Sequence, residues 1–311
     1  MFGINDCGLM LEPQMGLSPD VLLNTARQAE GLGFGYLFRS DHLLPTNDRR
    51  GVGSLECWTS LGAIAAITSR IRFGPLVSPV GFRNPALLAR MACTVSSMSG
   101  GRLQLSLGAG WYEPEYAANG IPFPSLATRM TQLEEALGII LPLLRDGRVD
   151  FDGKHFSAHT DCLPRPPDRI HTIIGGRTRR ALRLAAKYAD EWNLLASSPD
   201  HLAKNRPLLE RLSAGRKVIV SEMGPVMLGR TEAELEANLK AQIARMGTPV
   251  TPAELLQRIR SRGAFCGSPD DFLKAIRSRV DAGVERFYFQ VLVPENTRMT
   301  ELLAETLKKG F

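Results

Sequence analysis

A chain of 311 residues with a formal charge of +6 is long enough for one α/β barrel or for two medium-sized domains. Its 44% hydrophobic and 23% charged residues supply a large core and exclude a disordered or fibrous chain. The arginine surplus comes without zinc-finger spacing, an RNP-type aromatic motif or a basic tail, so it points to an acidic small ligand rather than to nucleic acid.

Residues 2–11 read as a first strand. Ser18, Pro19 and Asp20 then cap a helix with proline at its first position, and residues 21–32 continue it. Gly33 and Gly35 break that helix, and residues 36–38 form a second strand ending at Ser40, Asp41 and His42. A polar loop over 45–54 precedes a helix over 58–68. Residues 71–78 are strand three, and Asn84 and Pro85 open a helix that Gly100 and Gly101 close. Residues 102–107 are strand four. An excursion over 110–125 leads to a helix marked by Met130, Leu133, Leu137, Ile140 and Leu144, a stripe suited to core or to a subunit interface.

A second irregular insertion, 150–168, reads as a lid or as a rigid lead-in to strand five at 171–174. Strands six and seven lie at 191–195 and 218–228. Helices follow at 231–246 and 253–262. Ser268, Pro269 and Asp270 cap another helix to residue 282, residues 286–292 are strand eight, and a helix over 299–309 ends the pattern. Five widely spaced cysteines without a C-x-x-C pair suit reduced thiols. The first residues lack the basic and apolar regions of a signal peptide, and no apolar run reaches the ~20 residues of a membrane span, so a cytoplasmic location is expected.

Eight strands alternating with helices, with no break in composition, predict an α/β chain folded as a single (β/α)8 TIM barrel over 1–311 with insertions at its C-terminal face. A doubly wound open sheet is the other option, and the absence of a G-x-G-x-x-G motif after strand one weakens it. In such a barrel the active site gathers where strands end. That position selects Glu12 and Gln14, then Ser40, Asp41 and His42, then Pro75, Leu76 and Ser78, then Gly110, Trp111 and Tyr112. Later strands add Gly175, Gly176 and Arg177, Asn193, Met227 and Gln290. No lysine falls at a strand's C-terminal end, which excludes a Schiff-base aldolase, and His42 is the one histidine there, so no metal site is expected.

The run Ile173-Ile174-Gly175-Gly176-Arg177-Thr178-Arg179-Arg180 is a strand-to-helix turn whose N–H groups and helix dipole favour an anion; it also reads as an ordinary turn with solvated arginines. Together with an aromatic and apolar rim, it suits a flat, anionic organic cofactor.

Several stretches resemble the bacterial luciferase-like monooxygenase superfamily, in particular its coenzyme F420-dependent oxidoreductases. They are Ser40-Asp41-His42-Leu43, the stretch from Phe82 to Arg90, Ser99-Gly100-Gly101-Arg102-Leu103 running on to Leu107-Gly108-Ala109-Gly110-Trp111-Tyr112-Glu113, Ile174-Gly175-Gly176, Ala189-Asp190-Glu191-Trp192-Asn193, and Gly267-Ser268-Pro269.

The resemblance implies a homodimeric barrel that moves a hydride between the deazaflavin F420 and a small organic substrate. Its alternatives are an FMN-dependent monooxygenase fed by a partner flavin reductase, and a non-catalytic flavin-binding barrel. It implies a ring site around Asp41, Pro75, Leu76, Ser78, Gly110, Trp111 and Asn193, with a strand-three bulge at Pro75–Leu76, and a phosphate site at Gly175, Gly176, Arg177 and Thr178. His42 becomes the acid/base, or else a loop histidine that orients its neighbours. Asp41 bonds the ring, orders His42, or serves as a helix N-cap. Trp111 stands where the family's sugar-phosphate dehydrogenases carry a glutamate, and Glu113 and Glu115 are displaced from that position, so a sugar-phosphate substrate is not expected.

Overall fold

Residues buried on both faces make near-continuous apolar strands, and that is the signature of a parallel sheet wrapped by helices. The chain is described by a computed structural model covering residues 2–46, 51–195, 199–247, 249–261, 263 and 265–311. Its first half runs β1 (Cys7–Leu11), α1 (Pro19–Leu32), β2 (Tyr36–Arg39), α2 (Cys57–Ile67), β3 (Arg72–Pro75), β4 (Ser78–Pro79), α3 (Pro85–Met98), β5 (Gln104–Gly108), α4 (Glu113–Ala118) and α5 (Leu126–Asp146). The second half runs β6 (Arg148–Asp152), β7 (Ser157–Asp161), β8 (His171–Gly175), α6 (Arg179–Tyr188), β9 (Glu191–Leu195), α7 (Pro199–Leu212), β10 (Ile219–Leu228), α8 (Glu232–Met246), α9 (Pro252–Ser261), β11 (Phe265–Gly267), α10 (Pro269–Asp281), β12 (Arg286–Val291) and α11 (Thr297–Gly310).

The large sheet is parallel, in the order β3-β2-β1-β12-β10-β9-β8-β5-β4. β3 and β4 are consecutive pieces of one run, so the order ends where it begins. A bridge between Phe73 and Leu103 helps to draw the ring together. The result is an α/β barrel of eight strand positions, with β11 added along the end of β10. Met10, Tyr36, Phe38, Leu76, Ile173 and Tyr288 fill the barrel's interior, and a larger apolar shell separates the strands from the helices. Burying each large side chain of this kind stabilises the fold by ~1.5–3 kcal/mol.

The helix starts follow the chemistry expected of them. Ser18, Asn84, Thr178 and Ser268 each accept a backbone N–H at an N-terminus. Four expectations are corrected. Strand one begins at Cys7, because residues 4–6 form a 3-10 turn. The 150–168 insertion is largely a hairpin: Val149, Phe151 and Ala158 turn toward the core, while Glu135 of α5 accepts the N–H groups of Lys154, His155 and Phe156 at 3.0, 2.7 and 3.0 Å. Helix α7 has no counterpart among the expected elements, since Pro199 and Pro207 punctuate a polar stretch. Strand β11 has three residues, too few to show a period.

Candidate active site

The end of β2 is fixed by a buried charge that backbone carbonyls hold. Arg39 is fully buried and donates to the carbonyls of Ser40, Leu55 and Glu56 at 2.9, 2.8 and 3.1 Å. This ties the strand to the start of α2 and presents Asp41 and His42 at the barrel mouth. Asp41 accepts from Ser78 Oγ at 2.6 Å and, in a fork, from Arg83 at 2.7 and 3.1 Å. Ser78 in turn accepts from Trp58 Nε1 at 3.1 Å. The Asp41 carboxylate is therefore a buried, charge-assisted anchor, and its hydrogen bonds among the described residues go to these partners rather than to His42.

Ordering His42 falls to Glu115, on the short helix α4. Its fully buried carboxylate lies 2.9 Å from His42 Nδ1 and accepts the N–H of Leu43 at 2.9 Å. Burial pulls the His42 pKa down, but the hydrogen bond and charge of Glu115, aided by Glu12 and Asp41, outweigh it and hold the imidazole above its usual value. With Nδ1 engaged, Nε2 is the nitrogen left to meet a ligand. Sequence reasoning passes over Glu115. The signal is Pro114, which suits the first turn of a helix and so marks α4, on which Glu115 is buried.

Strand three is interrupted one residue later than expected. The bulge falls at Leu76–Val77 rather than at Pro75–Leu76, and a cis peptide joins its two residues. Val77 then wedges between β5 and β8. A methyl group added at Gly108 would sit 2.5 Å from Val77 Cγ2, and one at Gly175 would sit 2.7 Å from Val77 Cγ1. The two glycines are thus the space that the bulge occupies. Beside them Gly176 has φ +139°, a conformation that disfavours any other residue. Its N–H donates to Asn193 O at 3.1 Å and its carbonyl accepts from Trp192 Nε1 at 2.8 Å.

Thr178 caps α6, and Arg177 stands exposed beside it. The charge of Arg177 reaches His201, whose pKa is lowered by burial first, then by Arg177 and Lys204. Arg180 is occupied elsewhere, donating to Ala127 O at 3.0 Å and Thr131 Oγ1 at 2.9 Å.

These elements enclose a cavity of about 1100 Å³. Asp41, His42, Leu76, Gly110, Trp111, Gly175, Gly176, Arg177, Thr178 and Asn193 line it, together with Glu115 and Val77. Two of the residues expected at the cofactor do not, nor do Gln14, Tyr112 and Met227 of the strand-end set. Pro75 is held in β3 opposite Arg39, and Ser78 lies fully buried behind Asp41. Asn193 donates to Ser221 Oγ at 2.8 Å at the base of the cavity. Trp111 is 65% exposed at the rim and stands edge-on to His42, with ring centroids 5.6 Å apart. Nearer the barrel axis Gln290 Nε2 donates to Glu12 Oε1 at 2.6 Å, Gln14 donates to the other Glu12 oxygen, and Ser40 donates to Gln14. No described helix is long and apolar enough to cross a membrane.

The sequence profile of the luciferase-like monooxygenases matches residues 7–296. The chain belongs to that family. Pyrimidine monooxygenase RutA of Stutzerimonas stutzeri is 32% identical over 225 residues, which are 68% of this chain and 60% of the relative. The match therefore spans less than two thirds of that relative's length. Among solved structures, the coenzyme F420-dependent tetrahydromethanopterin reductase of Methanopyrus kandleri superposes with a TM-score of 0.79 at 21% identity over the whole of both chains. The oxygenating constituent of 3,6-diketocamphane monooxygenase from Pseudomonas putida, in complex with FMN, gives 0.78 at 18% identity over 99% of each. At these identities the superpositions establish the fold, and the fold serves both cofactors.

Proposed function

We propose that this luciferase-like enzyme is a flavin-dependent monooxygenase that takes reduced FMN from a separate reductase and acts on a small organic molecule. The residues fit the cofactor class. Leu76 and Val77 make a shelf that Gly108 and Gly175 leave room for, suited to a flat ring. Gly175, Gly176, Arg177 and Thr178 would receive the phosphate at the N-terminus of α6. Bound reduced flavin supplies two electrons and the activation of oxygen; the chain supplies position and a proton. Glu115 keeps His42 protonated toward neutral pH, so its Nε2 can deliver a proton to a developing oxyanion on the substrate. Trp111 shields the rim.

The observation that carries FMN and oxygen chemistry over F420 is the 32% identity with a pyrimidine monooxygenase across the barrel. A second reading, F420-dependent hydride transfer, draws support from Arg177 and Arg260 in the cavity lining, which suit a longer anionic tail. Titration with FMN and with F420, each followed by the fluorescence of Trp111 and its neighbours, separates the two. The proposal expects tighter FMN binding, and oxygen uptake when reduced FMN is supplied. Tight F420 binding with no oxygen uptake would overturn it in favour of hydride transfer.

A further inference from the structure

The cavity has one polar patch that the flavin reading leaves unused. Glu12 lies at the end of β1, and Gln290 lies in β12, beside β1 in the sheet. Both face the cavity. The donors run one way. Ser40 donates to Gln14, Gln14 donates to one oxygen of Glu12, and Gln290 Nε2 donates to the other at 2.6 Å. An ionised carboxylate offers about four acceptor sites and these two amides fill two. Gln290 spends one of its two amide N–H groups on Glu12. What the patch offers a ligand first is the remaining acceptor capacity of the Glu12 carboxylate.

His42 is near enough for the Glu12 charge to bear on its protonation. Its free ring nitrogen, when protonated, is a donor. The walls around them are apolar, from Met10, Leu76, Met130 and Met223. An acceptor and a donor that line one largely apolar cavity complement one common group, an amide whose N–H and C=O are adjacent.

We propose that Glu12, held by Gln14 and Gln290, selects the substrate by accepting the N–H of a cyclic amide or imide whose carbonyl faces His42. The proposal rests on the flavin reading above and adds the substrate class and the residues that choose it. A pocket of this kind rejects an N-methylated analogue twice over: the methyl group meets the carboxylate, and the acceptor is left desolvated and unpaired.

The test uses two probe pairs, uracil with 1,3-dimethyluracil and 2-quinolone with 1-methyl-2-quinolone, titrated calorimetrically into the flavin-loaded protein. The N–H member of each pair should bind roughly 10- to 100-fold more tightly, the range of a hydrogen bond to a charged group. Glu12→Gln keeps the shape and puts a donor where the acceptor was. It should bring the two members within about threefold of each other while flavin affinity stays within about twofold. Gln290→Leu removes one anchor and should narrow the preference by a smaller factor, which keeps the test open if Glu12→Gln does not fold. A wild-type protein that binds both members alike, or neither N–H probe, overturns the proposal. So does a folded Glu12→Gln protein that keeps the full preference. If the wild type takes up neither FMN nor F420, the flavin reading fails by itself, and the same probes titrated into the protein alone still decide the role of Glu12.

Discussion

At the mouth of the barrel His42 meets Glu115 at 2.9 Å; at the opposite end His171 meets Glu191 at 3.1 Å. The pairs match in chemistry and in the burial of the carboxylate, and they differ in what surrounds them. Glu191 also accepts from Arg286 at 2.6 Å and from Tyr288 OH at 2.6 Å, and Arg286 lies over the Tyr36 ring at 4.9 Å. Each partner there is held by another, and the network closes on itself. Among the described residues the Glu115 carboxylate serves His42 and the chain beside it, and the far side of the imidazole opens on the cavity. A buried histidine–glutamate pair is thus no mark of function by itself; a ring nitrogen left for a ligand is.

The largest effect should fall on the open pair. His42→Ala should lower turnover by ~10²–10⁴, the usual contribution of a positioned acid or base, and change flavin affinity little. His171→Ala should leave turnover per folded molecule near wild type and lower the melting temperature. Steady-state rates and thermal melts on both proteins check this. If the two variants lose activity alike, the distinction between an open and a closed pair is void.

Glu191→Gln tests the closed pair directly. It removes the negative partner of a partly buried Arg286, and breaking a fully buried pair costs about 3–5 kcal/mol, an upper bound here. Denaturant unfolding should show that loss. The Glu191 carboxyl is pushed up by burial and pulled further down by His171 and Arg286, so that it stays below the usual glutamate value. Its contribution is therefore complete above the ordinary glutamate range and is lost as pH falls through its own lower pKa. The wild-type advantage over Glu191→Gln should shrink in acid. A constant difference between the proteins down to that range would contradict the network.

What the sequence disclosed follows from the same contrast. Strand six is legible to the residue at Glu191–Leu195, and the capped helices at Ser18, Asn84 and Ser268 begin where their side chains say they should. Those features are local, written in hydrophobic period and cap chemistry. In the hairpin at 148–161 β6 alternates but is only five residues long, β7 is exposed at nearly every position and shows no period, and α7 carries two prolines. The strand-end rule finds His42, Asp41 and the glycine turn, because the barrel topology brings all strand ends to one side. It cannot find that Ser78 points at Asp41 or that Glu115 reaches His42 across 73 positions, since those pairings arise only when distant segments pack.

The finest test acts on Glu115 rather than on His42. Glu115→Gln keeps the shape and one acceptor oxygen but removes the charge that outweighs burial. The His42 pKa should then fall, because burial, the strongest of its influences, acts against fewer opponents. A step that needs His42 protonated loses rate as pH rises through that pKa. In the wild type the loss should begin above the ordinary histidine value of about 6.5, and in the variant at lower pH. At pH values below both limbs the two proteins should differ by no more than about threefold. At higher pH the two profiles should part, the variant losing rate first, because its protonated fraction falls earlier. The Glu191→Gln protein, assayed beside it, should keep the wild-type limb. Coincident profiles for Glu115→Gln and wild type would mean that Glu115 only supports the loop after β2, and the proton would have to come from elsewhere in the cavity.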